Sequence, residues 1–280
     1  SLLSTYLLFA IGLKGGRELA HSSASEVLAP ALAAVGLALV ASVATYAVGR
    51  RVLRLEARDA AALAAHYGSV SAVTFTAAES FASAAGTLTE GYFPALVALM
   101  EFPGIVLALL LVARSRATGS LAHSMREVMT GKSVVLLVGG IAVGLITTDA
   151  GYDRVAPLFA TLFPGVLCLF LIDLGTLAGQ HLTRLRASAT RVAIFAIVAP
   201  VLLGVLGVAV GVSIGLSVGG AGLLGAMAAS ASYIAAPAAV RVGLPGADLG
   251  TALLASLGIT FPFNLALGIP LYAELASRLA

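Results

Sequence analysis

Nine apolar runs follow one another along this chain with only short polar loops between them. They cover approximately residues 1–20, 27–49, 59–85, 92–113, 132–148, 155–179, 189–212, 218–242 and 249–277. At 1.5 Å per residue, each is close to or beyond the length that crosses ~30 Å of hydrocarbon. Backbone in lipid must satisfy its own polar groups, so runs of this length predict helices. Apolar residues make up 60% of the chain and charged residues 10%, and the mean hydropathy is +1.05. That balance lies outside the range of water-soluble domains. The 31 glycines suit helices that pack closely in lipid. The fold expected is an all-α polytopic membrane protein.

Two of the runs carry the same polar break, Ser69-Val70-Ser71 and Ser230-Ala231-Ser232, 161 residues apart. Other landmarks recur in order at similar spacing. Ile11-Gly12-Leu13 answers to Ile172-Asp173-Leu174, Ala29-Pro30 to Ala199-Pro200, and Phe102-Pro103 to Phe261-Pro262. Ordered matches 159 to 170 residues apart predict two structural repeats. Paired interruptions at corresponding places in two halves point to a ligand site near the bilayer midplane. The repeats divide the chain into a first unit at 1–113, a linker at 114–132 and a second unit at 133–280. Run 132–148 has no partner in the first unit, so the arithmetic predicts ten helices, five plus five, with one more before residue 1. A cleaved signal peptide is the alternative for that segment.

Charge asymmetry predicts the orientation. One side holds Arg50, Arg51, Arg54, Arg58, Arg114, Arg116, Arg126, Lys132, Arg184, Arg186, Arg191 and Arg241; the other holds Lys14, Arg17, Arg154 and Arg278. The twelve-residue side is expected in the cytoplasm, which puts the C-terminus outside. The run holding Ser69 then goes outward and the run holding Ser230 inward, so the repeats are inverted. The basic residues sit in short loops, which points away from nucleic acid. Cys168 is the single cysteine; it has no disulfide partner in the chain and no metal motif around it. No Ser–His pair at membrane depth and no HExxH motif suggests an enzyme.

At each break a half-helix is expected to restart, after Ser71 and after Ile234. Each restart offers unpaired backbone N–H groups and about half a positive charge. Two such ends suit a small anion held without Arg or Lys. The residues expected to line the site are Gly68, Ser69, Val70, Ser71, Ala72 and Thr74 in the first break, with Ser230, Ala231, Ser232, Tyr233 and Ala235 in the second. Pro237 fits the first turn of the second restart, where a missing N–H costs nothing. Serines that bond back to their own helix are the bland alternative. Acidic groups inside spans cost about 2.5–3.5 kcal/mol each at a helix centre, which makes Glu79, Glu101 and Asp173 candidates for cations or protons, with a structural hydrogen bond to a neighbouring helix as the alternative for Glu79 and Asp173. Glu101 corresponds to Thr260 in the second unit, with Asn264 close by. Carboxylate, hydroxyl and amide oxygens form a hard donor set suited to Na+. His66 and Tyr67, one turn before the first break, read as packing or helix-capping groups. Arg50 to Arg58 read as the topology signal, with anionic-lipid contact as a lesser alternative.

Specific segments resemble a known family. Phe9 to Gly16 is similar to the "KIGLTGG" stretch of the sodium-dependent bicarbonate transporters of the SbtA type. Gly68 to Thr74 resembles their "GAVSGST", and Met100-Glu101-Phe102-Pro103 their "MDIP". Residues Ala228 to Pro245, AASASYIAAPAAVRVGLP, resemble "AASSSDISGPPTLRAGIP", and Gly268-Ile269-Pro270-Leu271 matches the close. The resemblance implies ten spans in an inverted repeat and a core domain that moves against a gate domain as an elevator. It also implies a homotrimer, a cell inner-membrane location and a PII-like regulatory partner on the cytoplasmic side. The function expected is sodium-coupled symport of bicarbonate. Symport of another small carboxylate, or an anion-binding membrane sensor that moves nothing, are the alternatives. The chain departs from the pattern at Tyr233, where the family has Asp, and at Val73, Ala235 and Ala236, where it has Ser or Gly. The departures bear most directly on sodium coupling.

Overall fold

The computed structural model describes residues 2–113, 126, 130, 132–182 and 190–280. Most of the linker 114–132, together with Arg114, Arg116, Arg184 and Arg186, lies outside the described residues. Among the described residues every regular element is helical. Among these residues five helices are long and apolar enough to cross a membrane: Ala24–Arg51, Phe93–Val112, Asp149–Asp173, Thr190–Ser213 and Leu249–Leu279.

Helix α1 spans Leu2–His21 and α2 spans Ala24–Arg51. Ser23 begins α2 with a capping box, accepting from the Glu26 N–H while the Glu26 carboxylate takes the Ser23 N–H. This satisfies two donors that a helix start otherwise leaves orphaned. The run expected at 59–85 divides into α3, Ala57–Tyr67, and α4, Ala72–Ala84. Neither half, at roughly 17 and 20 Å, can cross the hydrocarbon alone. The next run bends at Glu101-Phe102 into α5, Phe93–Met100, and α6, Pro103–Ala113.

Helix α7 spans Lys132–Ile146. Helix α8, Asp149–Ala156, opens a wider turn at Pro157–Thr161 and leads into α9, Phe163–Leu182. Helix α10, Thr190–Ser213, carries Pro200 inside it as α2 carries Pro30. The second broken run gives α11, Val218–Ala228, and α12, Ala235–Gly243. The last helix, α13, spans Leu249–Leu279, with π-type turns at Leu254–Thr260 and Asn264–Gly268 on either side of Phe261-Pro262-Phe263. Prolines stand beside all three wide segments. Removing an N–H from the i→i−4 ladder lets the next turns widen, a change that apolar periodicity does not encode.

Packing is close because glycines face backbone. A Cβ on Gly16 would lie 2.1 Å from the Ile141 carbonyl oxygen, and one on Gly140 would lie 2.6 Å from that of Phe9. Helices α1 and α7 therefore run backbone against backbone, in the small-residue manner of helices in lipid. A second approach joins the first break to the bend between α5 and α6. A Cβ on Gly104 would meet the Gly68 carbonyl at 2.0 Å, and the Ser42 hydroxyl of α2 donates to the Gly104 carbonyl at 2.9 Å. The span Asp149–Asp173 lies at the periphery, with 11% of its apolar window buried against 33–61% for the others.

Candidate functional site

The two breaks cross each other. Their sequence separation is large, yet the Ser71 N–H donates to the Ser230 hydroxyl at 2.9 Å, and that hydroxyl donates to the Met227 carbonyl at 2.8 Å. In return the Ser232 N–H donates to the carbonyls of His66, at 2.7 Å, and Ser69, at 2.9 Å. All six residues at these contacts, His66, Ser69, Ser71, Met227, Ser230 and Ser232, are buried.

Local chemistry fixes each restart. Ser71 is extended, with φ −91° and ψ 111°, and its hydroxyl accepts from the Thr74 N–H at 3.2 Å. Helix α4 thus begins with a side-chain cap, and the N–H groups of Ala72 and Val73 in its first turn have no acceptor inside the helix. In the second break the Ser232 hydroxyl accepts from the Ala236 N–H at 3.3 Å, and Pro237 is the third residue of α12. Both helix starts therefore point their positive ends into the crossing.

Buried polar atoms without a partner concentrate here. Among the described residues they are His66 Nε2, Ser69 Oγ, Glu101 Oε2 and the Tyr233 hydroxyl. Three belong to the breaks or to the helix end leading into them. Glu101 stands three residues before Gly104, which packs on Gly68. Native interiors seldom leave such atoms unpaired, and each one needs an explanation. The Tyr233 hydroxyl approaches Ser71 without forming a hydrogen bond, while its ring packs edge-on against Phe261 at 5.2 Å.

The cation candidates other than Glu101 are bonded or exposed. Glu79 is paired with Lys14 of α1, Nζ to Oε1 2.8 Å. Asp173 is exposed on the outside of α9. The Thr260 hydroxyl donates to the Ala196 carbonyl at 2.6 Å and accepts from the Tyr67 hydroxyl at 2.6 Å. Asn264 Nδ2 donates to the Ala229 carbonyl at 2.9 Å, and its Oδ1 accepts from Tyr272 at 3.3 Å. Among the described residues no three His, Cys, Asp or Glu side chains gather as metal ligands. His66, read from the sequence as packing, holds Ala62 through Nδ1 at 2.7 Å and lends its carbonyl to the second break. Only its place one turn before Ser69 hinted at this. A cavity of about 460 Å³ between α4, α11 and α13, lined by Phe81, Leu223 and Glu274, includes none of the break residues.

Over residues 1–277 the chain matches the Na+-dependent bicarbonate transporter superfamily. It belongs to that superfamily. Among curated proteins none matches the chain. Membership, together with the five spanning helices, makes the protein an integral multi-pass membrane protein of a transport family and not an enzyme. Within this superfamily member, the broken helices are the elements that bring buried, unpaired polar groups together.

Proposed function

We propose that the protein is a sodium-coupled symporter of bicarbonate, with the anion held where the two broken helices cross. The observation that carries this is the crossing itself. Two helix N-termini meet there beside unpaired Ser69 Oγ, His66 Nε2 and the Tyr233 hydroxyl. A small planar anion can take N–H donors from Ala72 and Val73 and hydroxyls from Ser69 and Tyr233, with no buried Arg or Lys. Gly68, Val70, Thr74, Ser230, Ala231, Ser232 and Ala235 shape the walls.

For sodium, the proposal keeps Glu101 and its repeat counterpart Thr260 with Asn264. Glu101 offers a buried carboxylate oxygen that no protein group uses. Thr260 ends the first widened turn of α13 and Asn264 begins the second, on either side of Pro262. In this architecture the chain contributes nine spans of an inverted five-plus-five fold, with units at 1–113 and 133–280 joined by the linker 114–132. A core built on α3–α4 and α11–α12 moves against a gate containing α1, α7 and α9 as an elevator. Homotrimeric assembly, a cell inner-membrane location with the C-terminus outside, and a PII-like partner on the cytoplasmic side complete the proposal. The family name and the matching order of elements in the two halves support it.

One observation favours a second reading. Tyr233 replaces the acidic residue of the family motif beside the crossing, which suits an anion sensor or a carrier of another small carboxylate without sodium. Uptake of labelled bicarbonate into proteoliposomes, with and without an inward sodium gradient, decides between them. Gradient-driven accumulation is expected; saturable binding without uptake would select the sensor.

A further inference from the structure

A cavity of about 440 Å³ lies between α1, α4 and the turn from α8 into α9, with Lys14, Glu79, Ser80, Ser83, Tyr152 and Phe163 in its wall. Lys14 comes from α1 and Glu79 from α4, so their ion pair joins the proposed gate to the helix that starts at the first break. The pair is lopsided. The Lys14 side chain is 44% exposed, while that of Glu79 is 8% exposed. One of the three ammonium donors goes to Glu79 Oε1 at 2.8 Å, leaving two more on a residue that lines the cavity. Glu79 lies eight residues beyond Ser71 on α4, which places the pair about 12 Å from the crossing.

Of the other cations on this side, Arg154 is not in the cavity wall, and two are committed. Arg17 bonds Asp149 at 3.1 Å and lies over the Tyr152 ring at 4.2 Å, and Arg278 pairs with Glu274 at 2.7 Å. Lys14 is the cation with both an open cavity in front of it and α4 leading inward behind it. We propose that this cavity is a capture site for the transported anion, with Lys14 as the residue that concentrates small anions at the entrance to the crossing. The proposal rests on the crossing being an anion site. Glu79 has a defined part in it. Its carboxylate fixes the ammonium at the cavity wall and offsets its charge, so that the anion is drawn in without being trapped. A path needs binding favourable enough for entry and weak enough for departure.

A simple brace between α1 and α4 is the competing account, and the two differ in sign. For capture, Lys14→Gln raises the bicarbonate KM about tenfold with little change in maximal rate, and the difference shrinks as salt screens the charge. Glu79→Gln does the opposite and lowers KM. A brace predicts that both substitutions change uptake in the same direction and that the swapped pair, Lys14→Glu with Glu79→Lys, restores it. That result overturns the proposal. A second measurement needs no transport. Ser83 lines the same cavity and is exposed. In a Cys168→Ser background, Ser83→Cys should react faster with an anionic methanethiosulfonate reagent than with a cationic one of similar size. Adding Lys14→Gln should remove that preference, and adding Glu79→Gln should enlarge it. A preference unmoved by Lys14→Gln sinks the capture site even if bicarbonate uptake is normal. A preference that behaves as expected in a protein that transports nothing keeps the capture site and removes the symport reading instead.

Discussion

The Ser71 N–H and the Ser230 hydroxyl meet at 2.9 Å across 159 residues of sequence. Through this bond each break completes the other. Ser71 opens α4 and Ser230 closes α11, and the hydroxyl of Ser230 passes the bond on to the Met227 carbonyl. The serines of the two breaks consequently have different tasks. Ser71, Ser230 and Ser232 use their side chains to finish helix ends, whereas the Ser69 hydroxyl bonds nothing in the protein.

This division predicts opposite outcomes for two similar substitutions. Ser230→Ala strands a buried N–H and should cost about 1–3 kcal/mol of stability, read as a lower melting temperature in detergent. Ser69→Ala removes a hydroxyl that has no partner, so stability should hold while bicarbonate affinity falls. If Ser69→Ala melts early and binds normally, its hydroxyl has a structural role and the anion sits elsewhere.

The seam of α1 and α7 gives a test of packing separate from function. Gly16→Ala forces a Cβ to 2.1 Å from the Ile141 carbonyl, and overpacking of this kind costs about 1–3 kcal/mol. Gly139 lies on the same helix as Gly140 with nothing within 4 Å of an added Cβ. Gly139→Ala should therefore be neutral or stabilise by up to about 1 kcal/mol through helix propensity. Equal effects of the two on thermal melting would remove the seam from the account.

The breaks were legible because polar residues inside apolar runs stand out wherever they occur, and their recurrence after 161 residues tied Ser69 to Ser230. The partners across the crossing were not legible. Which serine bonds which depends on how two distant helix ends meet, and no local pattern encodes that register. For the same reason the sequence allowed a bond from Glu79 to a neighbouring helix without showing that Lys14 makes it. His66 looked like packing until its carbonyl met Ser232. Thr260 and Asn264 were chosen for their oxygen chemistry, which sequence shows, while their bonds to Tyr67, Ala196, Ala229 and Tyr272 depend on packing, which it does not.

Glu101 carries the sodium proposal. Glu101→Gln keeps the shape and removes the charge, so sodium stimulation of uptake should fall at least tenfold, while anion binding at saturating sodium should change little. Thr260→Val should cut sodium dependence less and stability more, because it also breaks the bonds to Tyr67 and Ala196. Sodium stimulation that survives Glu101→Gln would move the cation to another set of oxygens.

Tyr233 offers the sharpest test of what the site has become. It is buried, its hydroxyl has no bond, and its ring rests on Phe261. Tyr233→Phe keeps the ring contact and deletes an unsatisfied polar atom, so stability should be unchanged or rise by about 1 kcal/mol. If the hydroxyl is spent on the anion, bicarbonate affinity should drop in the same variant by about 0.5–1.5 kcal/mol, between twofold and tenfold. Tyr233→Asp restores the residue of the family motif and a negative charge near the crossing, and should strengthen the sodium dependence of binding at some cost in packing against Phe261. Titration calorimetry of bicarbonate with and without sodium reads both effects. Sodium without influence on the parent and on Tyr233→Asp alike would defeat the sodium-coupled symport and leave the sensor or a carrier that does not use sodium.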